Sequence, residues 1–286
     1  MIKIILKKGR EESLLRFHPW VFSGAIAQIA GNPAEGDIVS VHASDGSVLA
    51  YGHYQIGSIA VRVLSFDNSA LAPDFYKVMI GRALEVRKAV GLTCSERTTC
   101  YRLVHGEGDG LPGLVADYYN GVVVLQAHSV GMHRQFGLFA RLLEELLEER
   151  LVSVFDKSSA TVPGGSEDGY LCGIQPDEWE VNECGNRLLI NFFEGQKTGF
   201  FVDQHENRQR VQQFSSNQRV LNCFGYTGGF SLGALRGGAS YVETVDISKK
   251  AIELCNRNVA LNFGSEAPHR GVVADVFKYL DTAGSD

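Results

Sequence analysis

From residue 219 onward, strand-length apolar runs alternate with helical segments, and this alternation constrains the fold more than any other feature of the chain. Arg219–Phe224 reads as a strand, Gly229–Leu235 as a helix, Tyr241–Asp246 as a strand, Ser248–Phe263 as a helix capped by Ser248, and Gly271–Val276 as a strand. Such alternation specifies a parallel sheet with right-handed crossovers. In an open parallel sheet the ligand sits beyond the carboxyl ends of the strands, where the first turn brings backbone N–H groups and a helix N-terminus to it. Phe224-Gly225-Tyr226-Thr227-Gly228-Gly229 occupies that turn. The dinucleotide fingerprint G-x-G-x-x-G needs glycine at 227, where threonine stands, so a pyrophosphate is disfavoured.

The second strand ends in Asp246, about twenty residues past the turn, where a carboxylate can accept from both hydroxyls of a ribose. The third strand carries Asp275, placed to accept from an adenine amino group. Together these describe an adenosine pocket, and a glycine turn that needs no diphosphate fits the methionine part of S-adenosylmethionine. The competing reading makes both aspartates helix-capping acids and the glycines plain turn residues.

The motifs N-C-F-G-Y-T-G-G-F-S (222–231), V-D-I-S (245–248) and N-V-A-L-N (258–262) resemble the cofactor motifs of class I S-adenosylmethionine-dependent rRNA methyltransferases. Just upstream, G-Q-K-T-G-F-F-V-D-Q-H-E-N-R (195–208) is similar to a signature of the 23S rRNA cytosine-C5 methyltransferases that carry an N-terminal PUA domain. His18-Pro-Trp-Val-Phe22, Gly36-Asp-Ile-Val39 and Arg102–Leu114 resemble other parts of that family, so the likeness spans essentially the whole chain. It implies that Phe224, Gly225, Tyr226, Thr227 and Gly228 meet the methionine part, Asp246 and Ile247 the ribose region, and Asp275 with Val276 the adenine. Thr198, Phe201 and Gln204 would line the cofactor entrance. His205 stands where the family has arginine, and the Ser158–Gly173 loop does not match the central pattern. Gln196-Lys197-Thr198 is no Walker A motif, because glycine does not precede the lysine.

The resemblance also implies the chemistry. Cytosine C5 takes a methyl group only after a cysteine thiolate adds to C6, on a base unstacked from the RNA. Cys223 lies inside a strand and Cys255 on the apolar face of a helix with Ile252 and Val259, so both read as core. In the resembled family the catalytic cysteine follows the fourth strand. The expectation is a methyltransferase truncated before that strand, with no catalytic residue of its own and inactive alone.

At 286 residues the chain suggests more than one domain. We expect a PUA-like β-barrel over 1–72, a central α+β domain over 73–182 and an incomplete Rossmann-like domain over 183–286, an α/β plus β architecture. Strands are expected at Lys3–Leu6, Ile38–His42, Val48–His53, Ile59–Leu64 and Arg187–Phe193, with a helix opening at Pro73-Asp74 and another over Met132–Leu151. Asp203-x-x-Glu206 reads as a capping box. Six cysteines without a C-x-x-C pair suggest neither zinc nor disulfides, and no metal is expected. The N-terminus has no run long enough for a leader or membrane span, which gives a cytoplasmic expectation. A net charge of −6 argues against indiscriminate nucleic-acid binding; Lys7, Lys8, Arg10 and Arg16, joined by Arg62 if the segment folds as a small β-module, read either as a local basic patch or as a solvated edge strand, and the family resemblance implies that these residues and Trp20 contact 23S rRNA. The rival readings are a non-catalytic RNA-binding protein acting through the PUA-like module and a methyltransferase acting on another base. An exposed sheet edge would favour a homodimer.

Overall fold

The computed structural model describes residues 1–67, 71–93, 95–162 and 167–283, and these divide into two compact units. The first comprises 1–93 and 102–175, the second 94–101 and 176–286. Residues 1–72 therefore share one unit with most of 73–182, and the short segment 94–101 belongs with the C-terminal residues.

In the first unit, β1 (Ile2–Leu6), β2 (Trp20–Phe22), β3 (Ile26–Ala30), β4 (Ile38–His42), β5 (Val48–Tyr54) and β6 (Ile59–Ser65) form a six-stranded sheet in the order β2-β6-β5-β4-β1-β3. A four-residue helix, α1 (Glu12–Leu15), inserts Leu14 into the core made by Ile4, Leu6, Val39, Val41, Val61 and Val63. β2 and β3 escape a reading by alternation, because β2 has only three residues and β3 has no fully buried position. α2 (Phe75–Ala89) follows, but it buries Ile80, Ala83 and Leu84 and leaves Val78, Val86 and Val90 exposed. A helix with apolar residues on two faces does not itself say which face has a partner.

A second sheet, ordered β11-β10-β9-β8-β7, is built from β7 (Cys100–His105), β8 (Leu114–Tyr119), β9 (Val122–Ala127), β10 (Ser153–Asp156) and β11 (Gly169–Gly173). β8 and β9 pair as a hairpin through Asn120-Gly121, both at positive φ, as a two-residue turn of this hand requires. The expected single helix over 132–151 is two pieces, α3 (Val130–His133) and α4 (Phe136–Leu147); α4 buries Phe136, Phe139, Leu143 and Leu147. Asp109 is structural: it accepts two hydrogen bonds from Arg87 and one from the His105 backbone.

In the second unit, β12 (Trp179–Glu183) and β13 (Asn186–Ile190) form a hairpin. α5 (His205–Phe214) leads into β14 (Arg219–Cys223), α6 (Gly229–Arg236), β15 (Tyr241–Asp246), α7 (Lys249–Phe263), β16 (His269–Val273) and α8 (Val276–Ala283). The three strands are parallel, in the order β14-β15-β16. Val242, Thr244 and Val245 of the central strand are fully buried, as expected of a strand covered on both sides. The capping box at 203–206 does not form: α5 is entered through a 3-10 turn at Val202–Gln204, and the Asp203 carboxylate accepts from the Gln204 side chain instead. β16 ends at Val273, so Asp275 lies two residues beyond the strand. Among the described residues no helix is long and apolar enough to cross a membrane.

Candidate functional site

The sharp turn after β14 is held open by backbone geometry and small residues. Phe224, Tyr226 and Gly228 all have positive φ, at 55°, 48° and 84°. A Cβ on Gly225 would fall against Thr244 Cγ2, and one on Gly228 against Cys255 Sγ, so the turn packs directly onto β15 and α7.

Asp246 organises this turn from the end of β15. Its Oδ2 accepts the Tyr226 N–H at 2.9 Å, and its Oδ1 accepts the Ser248 N–H at 2.9 Å. The carboxylate is thus fixed in orientation, with a lone pair still free on each oxygen for a hydroxyl. Asp275 Oδ1 accepts the Lys278 N–H at 3.1 Å, which makes it the N-terminal cap of α8.

Tyr226 joins the turn to the segment 195–204. Its hydroxyl donates to the Gly199 carbonyl at 3.1 Å and accepts the Gln196 N–H at 2.8 Å. Its ring meets Phe201 edge-on at 5.4 Å, and burial pushes its phenol up. Thr198 is fully buried, Val276 is buried, and Gln204 is half-buried, accepting from Asn207. Phe224 and Ile247 are exposed; the Phe224 ring packs against Phe277.

Tyr226 and Thr227 face a cavity of about 330 Å³ that is also lined by Asn191, Gln196, Ser248 and Lys250. Thr227 Oγ1 is buried and has no hydrogen-bond partner among the described residues. A buried hydroxyl costs free energy unless something pairs with it, and this orphan belongs to a residue that lines the cavity. Of the expected cofactor residues Tyr226 and Thr227 line this cavity, while Asp246 and the glycines do not; the fixed Asp246 carboxylate, bonded to the Tyr226 N–H, and the close-packed turn suit the ribose and amino-acid tail of an adenosine ligand.

Sequence reasoning missed Gln196, Ser248 and the role of N-V-A-L-N. Asn258 and Asn262 are one helical turn apart on α7 and clip β13: Asn258 accepts from the Leu189 N–H, and Asn262 pairs with both backbone groups of Arg187. The Asn258 amide also donates to the Thr227 carbonyl at 3.1 Å, which pins the turn. The N-x-x-x-N spacing on a helix was the available signal.

Two family models match. Residues 4–66 fit a PUA-like domain, and residues 101–278 fit an S-adenosylmethionine-dependent methyltransferase. The chain belongs to the S-adenosylmethionine-dependent methyltransferase family. Among its relatives is the ribosomal RNA large subunit methyltransferase I of Aeromonas salmonicida, 41% identical over 284 residues, covering 97% of this chain and 71% of that protein. The Escherichia coli K12 protein of the same name is 38% identical over 288 residues, covering 98% and 72%. A candidate SAM-dependent methyltransferase structure from Streptococcus mutans superposes with a TM-score of 0.86 at 23% identity, over 99% of this chain and 73% of that one. A second solved structure, complexed with SAH, gives 0.86 at 22% identity, over 99% and 73%. The cofactor of this methyltransferase is S-adenosylmethionine, which supplies an electrophilic methyl group when bound.

In the first unit, the expected RNA-facing residues spread over one module. Lys7, Lys8, Arg10 and Arg16 are exposed; Lys7 Nζ donates to the Gly24 carbonyl. Arg62 is half-buried, bonded to Gln55, and burial lowers its pKa. The Trp20 indole N–H donates to Glu107 at 2.9 Å, so its polar end is already committed. Phe17 and Phe22 are the aromatics that stand exposed here, and sequence reasoning had not singled them out.

Proposed function

We propose that this methyltransferase acts on large-subunit (23S) rRNA in the cytoplasm, placing the methyl group on C5 of a cytosine. What supports the rRNA reading most is the 41% identity to a ribosomal RNA large subunit methyltransferase I, spread over 97% of the chain rather than confined to the cofactor motifs. Lys8, Arg10 and Arg16 are exposed, as are Phe17 and Phe22, so the PUA-like module offers both cations for phosphates and aromatic faces for stacking. We assign RNA contact to Lys7, Lys8, Arg10, Arg16, Trp20 and Arg62, and a division of labour to residues 1–72, 73–182 and 183–286.

In the second unit Asp246 orients the ribose, while Gly225, Tyr226, Thr227 and Gly228 receive the amino-acid tail, with Phe224 beside them. Ile247, Asp275 and Val276 flank the adenine, and Thr198, Phe201 and Gln204 form the entrance. Tyr226 fixes that entrance to the turn, so binding and orientation are built into one hydrogen-bonded unit. None of the five described cysteines suits the role of nucleophile at C6. Burial pushes the Cys255 thiol up to about 11 and also raises Cys172 and Cys184, and Cys100 is buried. Cys223 lies within β14. Cys94 lies outside the described residues.

The C5 assignment is tested with this sequence extended to its relatives' full length, of which it spans about 71%, acting on large-subunit rRNA tritiated at cytosine C5. Loss of tritium to water that requires S-adenosylmethionine supports it; methyl incorporation without that loss contradicts it.

A further inference from the structure

Asn258 is fully buried in the middle of α7, where alanine or leucine would suit the helix better and a polar amide costs free energy unless paired. Its Oδ1 accepts the Leu189 N–H of β13 at 2.8 Å, and its Nδ2 donates to the Thr227 carbonyl at 3.1 Å. The first partner is a donor and the second an acceptor, so only one orientation of the amide serves both. One helical turn later Asn262 also holds β13, through the N–H and carbonyl of Arg187. The other hydrogen bonds of the Asn262 side chain go to the Asn258 carbonyl and to Arg236. Both asparagines therefore fasten α7 to β13, and of the two only Asn258 reaches the cofactor turn.

The Thr227 carbonyl belongs to the peptide that leads into Gly228, whose N–H closes the turn on the Gly225 carbonyl at 2.9 Å. Gly228 is a glycine at positive φ and by itself restrains that peptide little. The plane is set by its two hydrogen bonds, one within the turn to Gly225 and one from outside it, from Asn258. The same residue, Thr227, carries the buried Oγ1 that has no partner among the described residues. Tying its carbonyl holds that hydroxyl in place, so a ligand that meets it loses little entropy in ordering the turn.

On the reading that this turn receives the amino-acid tail of S-adenosylmethionine, we propose that Asn258 is a positioning residue for the cofactor, setting the affinity for that tail through the Thr227 peptide. Without the amide donor the Thr227 carbonyl loses its buried partner, and the tail meets a turn that has to be ordered as it binds. The contacts assigned to Asp246 for the ribose, and to Asp275 with Val276 for the adenine, do not pass through this peptide.

The test is calorimetric titration of the 286-residue chain and its Asn258→Ala, Asn258→Asp and Asn262→Ala variants with two ligands, urea unfolding showing that each protein is folded. The ligands are S-adenosylmethionine and 5′-methylthioadenosine, the same nucleoside without the amino-acid tail. Aspartate keeps the shape of Asn258 and the acceptor for Leu189 while removing the donor to Thr227, so it carries the test should the alanine variant not fold. Both Asn258 variants should bind S-adenosylmethionine about tenfold more weakly and 5′-methylthioadenosine within about twofold of the unsubstituted chain. Asn262→Ala should lower the urea midpoint and leave both affinities in place. Unchanged S-adenosylmethionine affinity in the Asn258 variants, equal losses for the two ligands, or an equal loss in Asn262→Ala would overturn the proposal, leaving Asn258 a structural clip. An unsubstituted chain that binds S-adenosylmethionine no more tightly than 5′-methylthioadenosine would show instead that the turn does not receive the tail, and the role of Asn258 would fall with it.

Discussion

Replacing Gly228 by alanine probes how tightly the turn is packed. Gly228 has φ of +84°, a conformation that costs an alanine about 1–2 kcal/mol. The added Cβ would lie 3.2 Å from Cys255 Cβ and closer still to its Sγ, and Cys255 is fully buried. Forcing a methyl group into such a site costs about 1–3 kcal/mol, so Gly228→Ala should destabilise the protein by about 2–5 kcal/mol. Part of that belongs to the sulfur alone. In a Cys255→Ala background the overlap with Sγ vanishes while the tight Cβ contact and the backbone strain remain, so a double-mutant cycle should return a coupling of about 1–2 kcal/mol. Urea unfolding of the four proteins measures this. A coupling within about 0.5 kcal/mol of zero would show that the turn does not rest on Cys255, and the packing argument would be wrong.

Thr227→Val removes an unpaired hydroxyl without changing shape, so it should leave stability unchanged or raise it by up to about 1 kcal/mol. The same substitution should weaken S-adenosylmethionine binding about tenfold; unchanged affinity by calorimetry would mean that the orphan hydroxyl does not serve the ligand. His53 is fully buried against Tyr76, and burial pushes its imidazole down to about 4. Between about pH 6.5 and 4 the unfolded chain binds this proton and the folded one does not, so stability should fall with pH across that window by up to about 3 kcal/mol. Unfolding measured against pH should show the slope flattened in His53→Gln; an identical slope in the two proteins would exclude this histidine as its source.

The parallel sheet was legible because its strands are short, apolar and separated by helices with plain caps, as at Ser248, whose hydroxyl accepts from Ala251. Asp246 was legible for the same reason, being the last residue of its strand. Asp275 was placed on a strand that ends two residues earlier, because Val272-Val273-Ala274 continues the apolar run past the last ladder position. Position along the chain could not say which side chains tie one loop to another: the Tyr226 hydroxyl reaches back thirty residues to Gln196, and Asn258 reaches both β13 and Thr227.

The most direct test of the cofactor site is isothermal calorimetry of S-adenosylmethionine with this chain, its Asp246→Ala variant and Asp246→Asn as a control that keeps one acceptor. Two hydrogen bonds from ribose hydroxyls to a charged carboxylate contribute about 3–6 kcal/mol, so alanine should weaken binding by at least about a hundredfold, with asparagine in between. Equal affinity in all three proteins, each shown to be folded, would contradict the assignment of Asp246 to the ribose and with it the adenosine pocket.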